Sequence, residues 1–360
     1  MFFRFFAFPG TVTGSPFKFH TNRVISFDVI EKFDDVGEFS LTLAYEKEIL
    51  SAMEINDIIT DGSSSLLVDT IRDNGSRITV SGTDLNGLLK LRLSEVGESG
   101  FDAVSGTTGW CIKHYIDNNI INPATAARAL PVSWSGGTGQ GSSPDHYMAK
   151  LEPVSDIVHT LCSDAGIGYR IDGLVGTDGS LFLYMRLLTG TDRSVNQSVN
   201  EKVVFSAAHG NILSAEFTHS VSDLKNVAYV TDSNGTIVTV SREAAEGINR
   251  RETAVSVDVA ATDDEFHALA LKQFEEAVDK HNYCVGAAVS SGYGTRYSLG
   301  DIVTVYDIHT GNYYSDRLLE VSRHYSTGER TMSLTLGKNK LKILDRVIDG
   351  KISRQLRKKG

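Results

Sequence analysis

Ile55–Thr60 reads INDIIT, and Leu299–Thr304 reads LGDIVT. Each hexapeptide runs aliphatic residue, small residue, Asp, Ile, β-branched aliphatic residue, Thr. Asp before a strand is common, so six letters alone decide little. The surroundings extend the match. After INDIIT come DGSSS, LLVDTIRD, DNGS, RITVSG and TDLNGLLKLRL. Gly and Asn accept positive φ, so DGSSS and DNGS are hairpin turns between strands. The segment then closes on a short helix carrying Leu85, Leu88 and Leu89. After LGDIVT come HTGN, a strand, STGE, a strand, and KNKLKILDRVI with helix-like spacing of Leu341, Ile343, Leu344 and Val347. Both regions therefore read strand–turn–strand–turn–strand–helix, which predicts two copies of one small β-barrel or sandwich unit.

Around the first copy the patterning is also β. VISFDVIEKF (Val24–Phe33) alternates apolar and polar residues, and EFSLTLAY places Phe39, Leu41, Leu43 and Tyr45 on one face. MFFRFF reads as a first strand, stopped by Pro9-Gly10. EKEILSAM (Glu46–Met53) is a short helical interruption. Between the copies, TTGWCIKHYIDNNI (Thr107–Ile120) predicts an amphipathic helix with Trp110, Tyr115 and Ile116 available for burial. PVSWSGGTGQGSSPD (Pro131–Asp145) reads as a flexible loop. VSDIVHTLCSDAGIG (Val154–Gly168) is a second helix, striped by Val154, Ile157, Val158, Leu161 and Cys162 and capped by Gly166. YRIDG and SLFLYMRL form a hairpin around GTDGS. VVFSAAHGNILSAEFTHSVSDLKNVAYV (Val203–Val230) returns to strands. TDDEFHALALKQFEEAVDKH (Thr262–His281) has the Thr262/Glu265 capping-box spacing of a helix.

The expected fold class is α+β and β-rich, with two similar β-barrel or sandwich domains carrying α+β and helical insertions. The expected boundaries are 1–92 for the first β domain and 93–200 for an α+β insert. Segments 201–232 and 283–348 form a discontinuous second β domain, 233–282 a strand-plus-helix insert, and 349–360 a basic tail.

Bulk properties narrow the function. The chain has 360 residues, 41% hydrophobic and 22% charged, as folded proteins do. Lys+Arg number 35 against 45 Asp+Glu, so the formal net charge is -10. A general nucleic-acid binder carries a basic face instead. The 3 cysteines are few and widely spaced, which implies no disulfide framework and fits a reducing cytoplasm. No stretch has transmembrane length or the layout of a signal peptide.

Motifs for chemistry are absent. SGGTGQGSS has glycines but no Lys to complete a phosphate loop. No G-x-S-x-G elbow occurs, and none of the histidines lies in HExxH. The sharpest metal candidate is Cys111 and His114 with His159 and Cys162, two i, i+3 pairs on predicted helices that together offer a Cys₂His₂ set. Against it, Cys162 continues an apolar stripe, and i, i+3 pairs on helices are not the usual structural-zinc spacing. No catalytic, cofactor-binding or metal residue is assigned, and no cofactor is expected. His219 and Asp223 could share a turn, which is weak evidence for a dyad.

The order of GEFSLTLAYEKEILSAMEINDIITDG, RITVSGTDLNGLL, YIDNNIINPATAARALP, SDIVHTLCSDAGIGYRID, YSLGDIVTV and MSLTLG resembles the hub proteins at the distal end of phage tails. These are related to the contractile-tail baseplate hub and to the N-terminal module of tail-associated lysins. The resemblance covers nearly the whole chain. It implies a homotrimer in which two tube-type domains per subunit build a six-fold-like ring. Such a ring joins the tail tube or distal tail protein above to a spike or fibre protein below, with the tape measure protein as a further neighbour. DNA would pass through the channel without specific binding, past an acidic lining. The implied location is the virion tail tip or baseplate, assembled in the host bacterial cytoplasm, with no membrane span. The chain stops soon after LKILDRVIDGKISRQLRKKG, so no lytic domain is expected in it and the resemblance implies no enzyme. Two other functions remain open on the residues: a tail-associated peptidoglycan hydrolase with its site in the α+β insert, and a receptor- or carbohydrate-binding β module.

Overall fold

The computed structural model of the chain describes residues 1–9, 14–96, 102–141, 147–222, 224–242, 246–256, 270, 280–288, 291–308 and 311–337. It is β-rich, as its alternating sequence demands. The chain divides into two compact units, Met1–Ala215 with Cys284–Leu336 and Glu216–Tyr283 with Gly337–Gly360.

A 13-stranded sheet dominates. Its strand order is Ile212–Ser220, Lys280–Ala287, Glu329–Gly337, Asn312–Ser326, Val24–Lys32, Glu38–Ala44, Arg77–Asp84, Ser65–Asp73, Ile58–Thr60, Phe3–Phe6 and Phe17–Thr21. Ile302–Asp307 joins through Asn312–Ser326, and Val204–Phe205 pairs with Ile302–Asp307. Strict alternation sets which face is buried. Phe27 and Val29, Phe39, Leu41 and Leu43, and Ile78 and Val80 all point to one side, where Phe3 and Phe5 close the same core. Tyr45 does not continue that row; it is 39% exposed, beyond the last residue of its strand.

The α+β insert packs a second core in the same unit. Helix Thr108–Ile116 and helix Val154–Ala165 bury Cys111, Ile112, Tyr115 and Ile116 against Val154, Ile157, Val158, Leu161 and Cys162. Gly166 caps the second helix at φ 64. Trp110 departs from expectation: it is 51% exposed, because the helix turns Cys111 and Ile112 inward instead. The Gly/Ser stretch is not wholly loop. Val132–Trp134 adds a parallel strand to the hairpin Gly168–Val175 and Leu181–Leu188, while residues 142–146 lie outside the described residues. The 3-10 turn Leu85–Leu91 buries Leu85, Leu88 and Leu89 as the spacing predicted.

The other unit holds a three-stranded sheet, Ile237–Ser241, Val227–Thr231 and Glu252–Ser256, whose core includes Ala228, Val230, Val240 and Ala270. Most of the expected helix Thr262–His281 lies outside the described residues. Ala270 is helical, and Lys280 and His281 already belong to the strand Lys280–Ala287. The expected helix at 338–348 and the basic tail at 349–360 lie outside them too, as do Asp223 and part of HTGN. Among the described residues no helix is long and apolar enough to cross a membrane.

Candidate interaction surface

The two repeated phrases fold into one local structure. Asn56 at φ 72 and Gly300 at φ 92 both occupy the left-handed region directly before their Asp. The Asn56 N–H donates to Val68 O at 2.8 Å, and Val68 N–H donates back to Asp57 O at 2.9 Å. Gly300 N–H donates to Leu318 O at 2.8 Å, and Leu318 N–H to Asp301 O at 2.8 Å. Each Asp carboxylate accepts the N–H three residues earlier: Glu54 to Asp57 at 2.9 Å, Ser298 to Asp301 at 3.0 Å. Each also holds a cation, Lys18 Nζ at 2.9 Å or Arg193 Nε at 2.9 Å. Both Asp side chains are buried, so these donors offset the cost of desolvating a carboxylate. Next to Val68 and to Leu318 the ladder skips one residue, Asp69 in the first copy and Leu319 in the second. The bulge thus recurs at the twin position.

The sheet face opposite the core is a band of short hydroxyl side chains. One cross-strand row runs Thr331, His324, Asp28, Ser40, Ser81, Thr70 over six strands. The row beside it runs Ser326, Ser26, Thr42, Thr79, Arg72. Asp28 and His324 are hydrogen-bonded to each other at 2.6 Å in the first row.

Between the copies lies an in-chain seam. Asn312–Ser326 pairs antiparallel with Val24–Lys32, from Glu320 opposite Lys32 to Ser326 opposite Ser26. An ionic cluster locks it on the core side. Glu31 accepts from Arg170 Nη2 at 2.9 Å, Tyr293 OH at 3.1 Å and Ser64 Oγ at 3.3 Å, and pairs with Arg323 Nη2 at 3.2 Å. Arg170 and Arg186 share Asp172, at 2.6 and 2.7 Å. Desolvation works against the Arg170 charge, yet Glu31 and Asp172 outweigh it and hold its pKa above the ordinary value. Burial pushes the Tyr293 phenol up, so it stays a donor to Glu31. Sequence inspection missed this cluster. Its signal was a charge on the inward face of VISFDVIEK, two residues after Val29.

The Cys₂His₂ candidates are engaged separately. His114 Nε2 donates to Asp102 at 2.7 Å, and His159 Nδ1 donates to the Asp34 carbonyl at 2.6 Å. Cys111 lies 3.9 Å from the Gly106 carbonyl, and burial pushes the Cys162 thiol up. Among the described residues no three His, Cys, Asp or Glu side chains gather as a metal would need.

The fold has solved counterparts. The 43 kDa tail protein of prophage MuSo2 from Shewanella oneidensis matches with TM-score 0.55 at 12% identity, over 93% of this chain and 97% of that one. The prophage tail protein gp18 from Listeria monocytogenes EGD-e matches with TM-score 0.54 at 13% identity, over 99% and 100%. A tail protein from Neisseria meningitidis MC58 matches with TM-score 0.54 at 15% identity, over 93% and 96%. At such identities the likeness shows a shared fold, and it is the fold of tail proteins. No curated protein sequence matches the chain. The family model for Siphovirus ReqiPepy6 Gp37-like protein spans residues 20–338, taking in both Asp loops, the hydroxyl face and the seam, and the chain belongs to that family.

Proposed function

We propose that the chain is a structural hub protein of a phage tail tip. Three copies form a pseudo-six-fold ring that joins the tail tube to the central spike or fibre, and the ring encloses the ejection channel. The observation that carries this reading is the repeated loop: Asp57 and Asp301 with the same left-handed neighbour, the same paired backbone bonds and the same bulge. A chain with two equivalent units presents six similar surfaces from three copies, so it can face a six-fold tube on one side and a three-fold partner on the other. The hydroxyl face is the bore wall. Its Ser and Thr side chains are neutral, with Arg72 the cation at one end of a row, so most of the face offers a passing polyanion nothing to bind. No catalytic role is assigned.

Native mass spectrometry and sedimentation of the purified chain test the ring: a trimer is expected. A chain that stays single at every concentration, alone and with its tail neighbours, refutes it. An image of the assembled tail tip tests the placement, with this chain expected around the axial channel.

A further inference from the structure

A cavity of about 230 Å³ opens beside the Glu31 cluster, within the unit Met1–Ala215 with Cys284–Leu336. Its walls include Arg170 and Arg186 from the hairpin of the insert, Glu31 from Val24–Lys32, Arg323 from Asn312–Ser326, and Tyr293. Arg170 and Arg186 stand directly opposite each other in the antiparallel pair Gly168–Val175 and Leu181–Leu188. Like charges so placed repel. Asp172 takes one bond from each, from Arg170 Nε at 2.6 Å and from Arg186 Nε at 2.7 Å. Arg323 adds a third cation. Against these three guanidiniums stand two carboxylates, Asp172 and Glu31. Asp84 also pulls on Arg170, but its carboxyl sits at about 7, so it is mostly protonated at about pH 6. A positive charge is left over there.

Donors are left over as well. A guanidinium carries five N–H groups. Arg186 uses only its Nε, on Asp172. Arg170 Nη2 serves Glu31 at 2.9 Å and the Ser63 carbonyl at 3.3 Å, while its Nη1 has no acceptor among the described residues. Arg323 Nη2 donates to Ser64 Oγ at 2.6 Å, yet its Nε is buried without an acceptor. Glu31 has no capacity for more. Arg170 and Ser64 already occupy its Oε1, and Tyr293 and Arg323 its Oε2. Water filling the cavity would accept from these N–H groups but would not cancel the charge. An oxyanion does both, because the planar guanidinium fork matches carboxylate and phosphate oxygens.

We infer that this cavity binds a small oxyanion, a free carboxylate or inorganic phosphate, on the unused N–H groups of Arg186, Arg170 and Arg323. Bound there, it ties the insert hairpin to Val24–Lys32 and to Asn312–Ser326, and it stabilises the fold by mass action. The site lies within one chain, so it does not depend on the ring proposed above.

Thermal unfolding and titration calorimetry of the full chain at about pH 6 test the site. Inorganic phosphate and acetate are titrated separately, with sodium chloride holding the ionic strength constant. At least one of them is expected to raise the unfolding temperature saturably and to bind one ion per chain. The tighter of the two identifies the ligand group. Arg186 is 43% exposed and makes its one bond to Asp172, so Arg186→Gln removes donors with little loss of packing. It is expected to weaken binding about tenfold or more, the value of lost charge-assisted bonds. Arg186→Lys keeps the charge but not the fork, and it is expected to weaken binding too, which keeps the test open should Arg186→Gln fail to fold. No response beyond that to chloride means that water alone fills the cavity, and overturns the proposal. Binding that the Arg186 variants leave unchanged marks an adventitious ion only, and overturns it as well.

Discussion

The strands Val24–Lys32 and Ile212–Ser220 hold matching places beside the two copies of the repeated unit, and their phenylalanines are buried differently. Val24–Lys32 is covered by a neighbouring strand, and its Phe27 lies at 1% exposure in a core. Among the described residues Ile212–Ser220 ends the strand order, and its Phe217 lies at 48%. The difference teaches that a matching strand pattern does not by itself fix burial, since phenylalanines on corresponding strands reach opposite fates. Breaking the comparison is direct. Phe27→Ala is expected to cost ~3–5 kcal/mol of stability, the range for emptying a buried aromatic site. In dilute solution, where the chain is single, Phe217→Ala is expected to cost ~1 kcal/mol or less, the value of one exposed ring pair. Urea midpoints of the two variants measure both, and equal losses would abolish the distinction.

The first copy also carries a desolvated carboxyl, Asp84, at the end of its strand Arg77–Asp84. Desolvation raises the Asp84 carboxyl to about 7 from 3.8, against the pull of the Gly37 and Asn86 N–H groups and of Arg170. A carboxyl that ionises later in the folded chain than in the unfolded one surrenders stability as pH rises. The contribution is intact below about 4, falls between about 4 and about 7, and is gone above that window. The loss is on the order of 4 kcal/mol at most. Asp84→Asn keeps an acceptor for Asn86 N–H and cannot ionise. It is expected to be more stable than the parent at pH 8 and to lose that advantage at pH 4. Parallel stability–pH curves for the two proteins would refute the assignment.

Much of this architecture was legible in the sequence because strand alternation and turn chemistry are local. The two hexapeptides, the Leu85/Leu88/Leu89 turn and the helix striped by Val154 and Ile157 each needed only neighbours a few residues away. Trp110 was misplaced because its helix offers several apolar residues, and only tertiary packing chooses Cys111 and Ile112. The Glu31 cluster was illegible for a similar reason: Arg170, Tyr293 and Arg323 come from distant segments. A net charge of -10 does not say which face carries it, so the hydroxyl rows could not be foreseen from composition.

The Asp loops differ in the residue just before the Asp, and that difference sharpens the comparison. Asn56 and Gly300 share the left-handed backbone, which Asn tolerates and Gly accepts freely. Gly300 carries a further demand. A Cβ there would sit 2.2 Å from the Phe33 ring, which also lies under the Arg317 guanidinium. Gly300→Ala is expected to cost ~2–3 kcal/mol, from left-handed strain plus overlap with that ring. Asn56→Ala meets the strain alone and is expected to cost about 1 kcal/mol. Chemical denaturation separates them, and a larger loss at Asn56 would show that the loops are built differently despite their matching bonds.

The smallest effect on stability carries the most about the bore. Ser40 and Ser81 face each other in the middle of the hydroxyl row, on strands whose cores lie on the opposite side. A Lys at either position touches no core and is expected to change the unfolding free energy by ~0.5 kcal/mol or less. In the proposed trimer it would ring the proposed channel with ammonium groups facing a polyanion, and each phosphate contact adds salt-dependent affinity. Particles carrying Ser40→Lys are therefore expected to assemble normally and to release DNA slowly, with high salt restoring the rate. Lys in place of an exposed residue outside the sheet, such as Val199, is expected to leave release unchanged. Normal release from Ser40→Lys particles would take the hydroxyl face off the channel wall, even if the ring itself is trimeric.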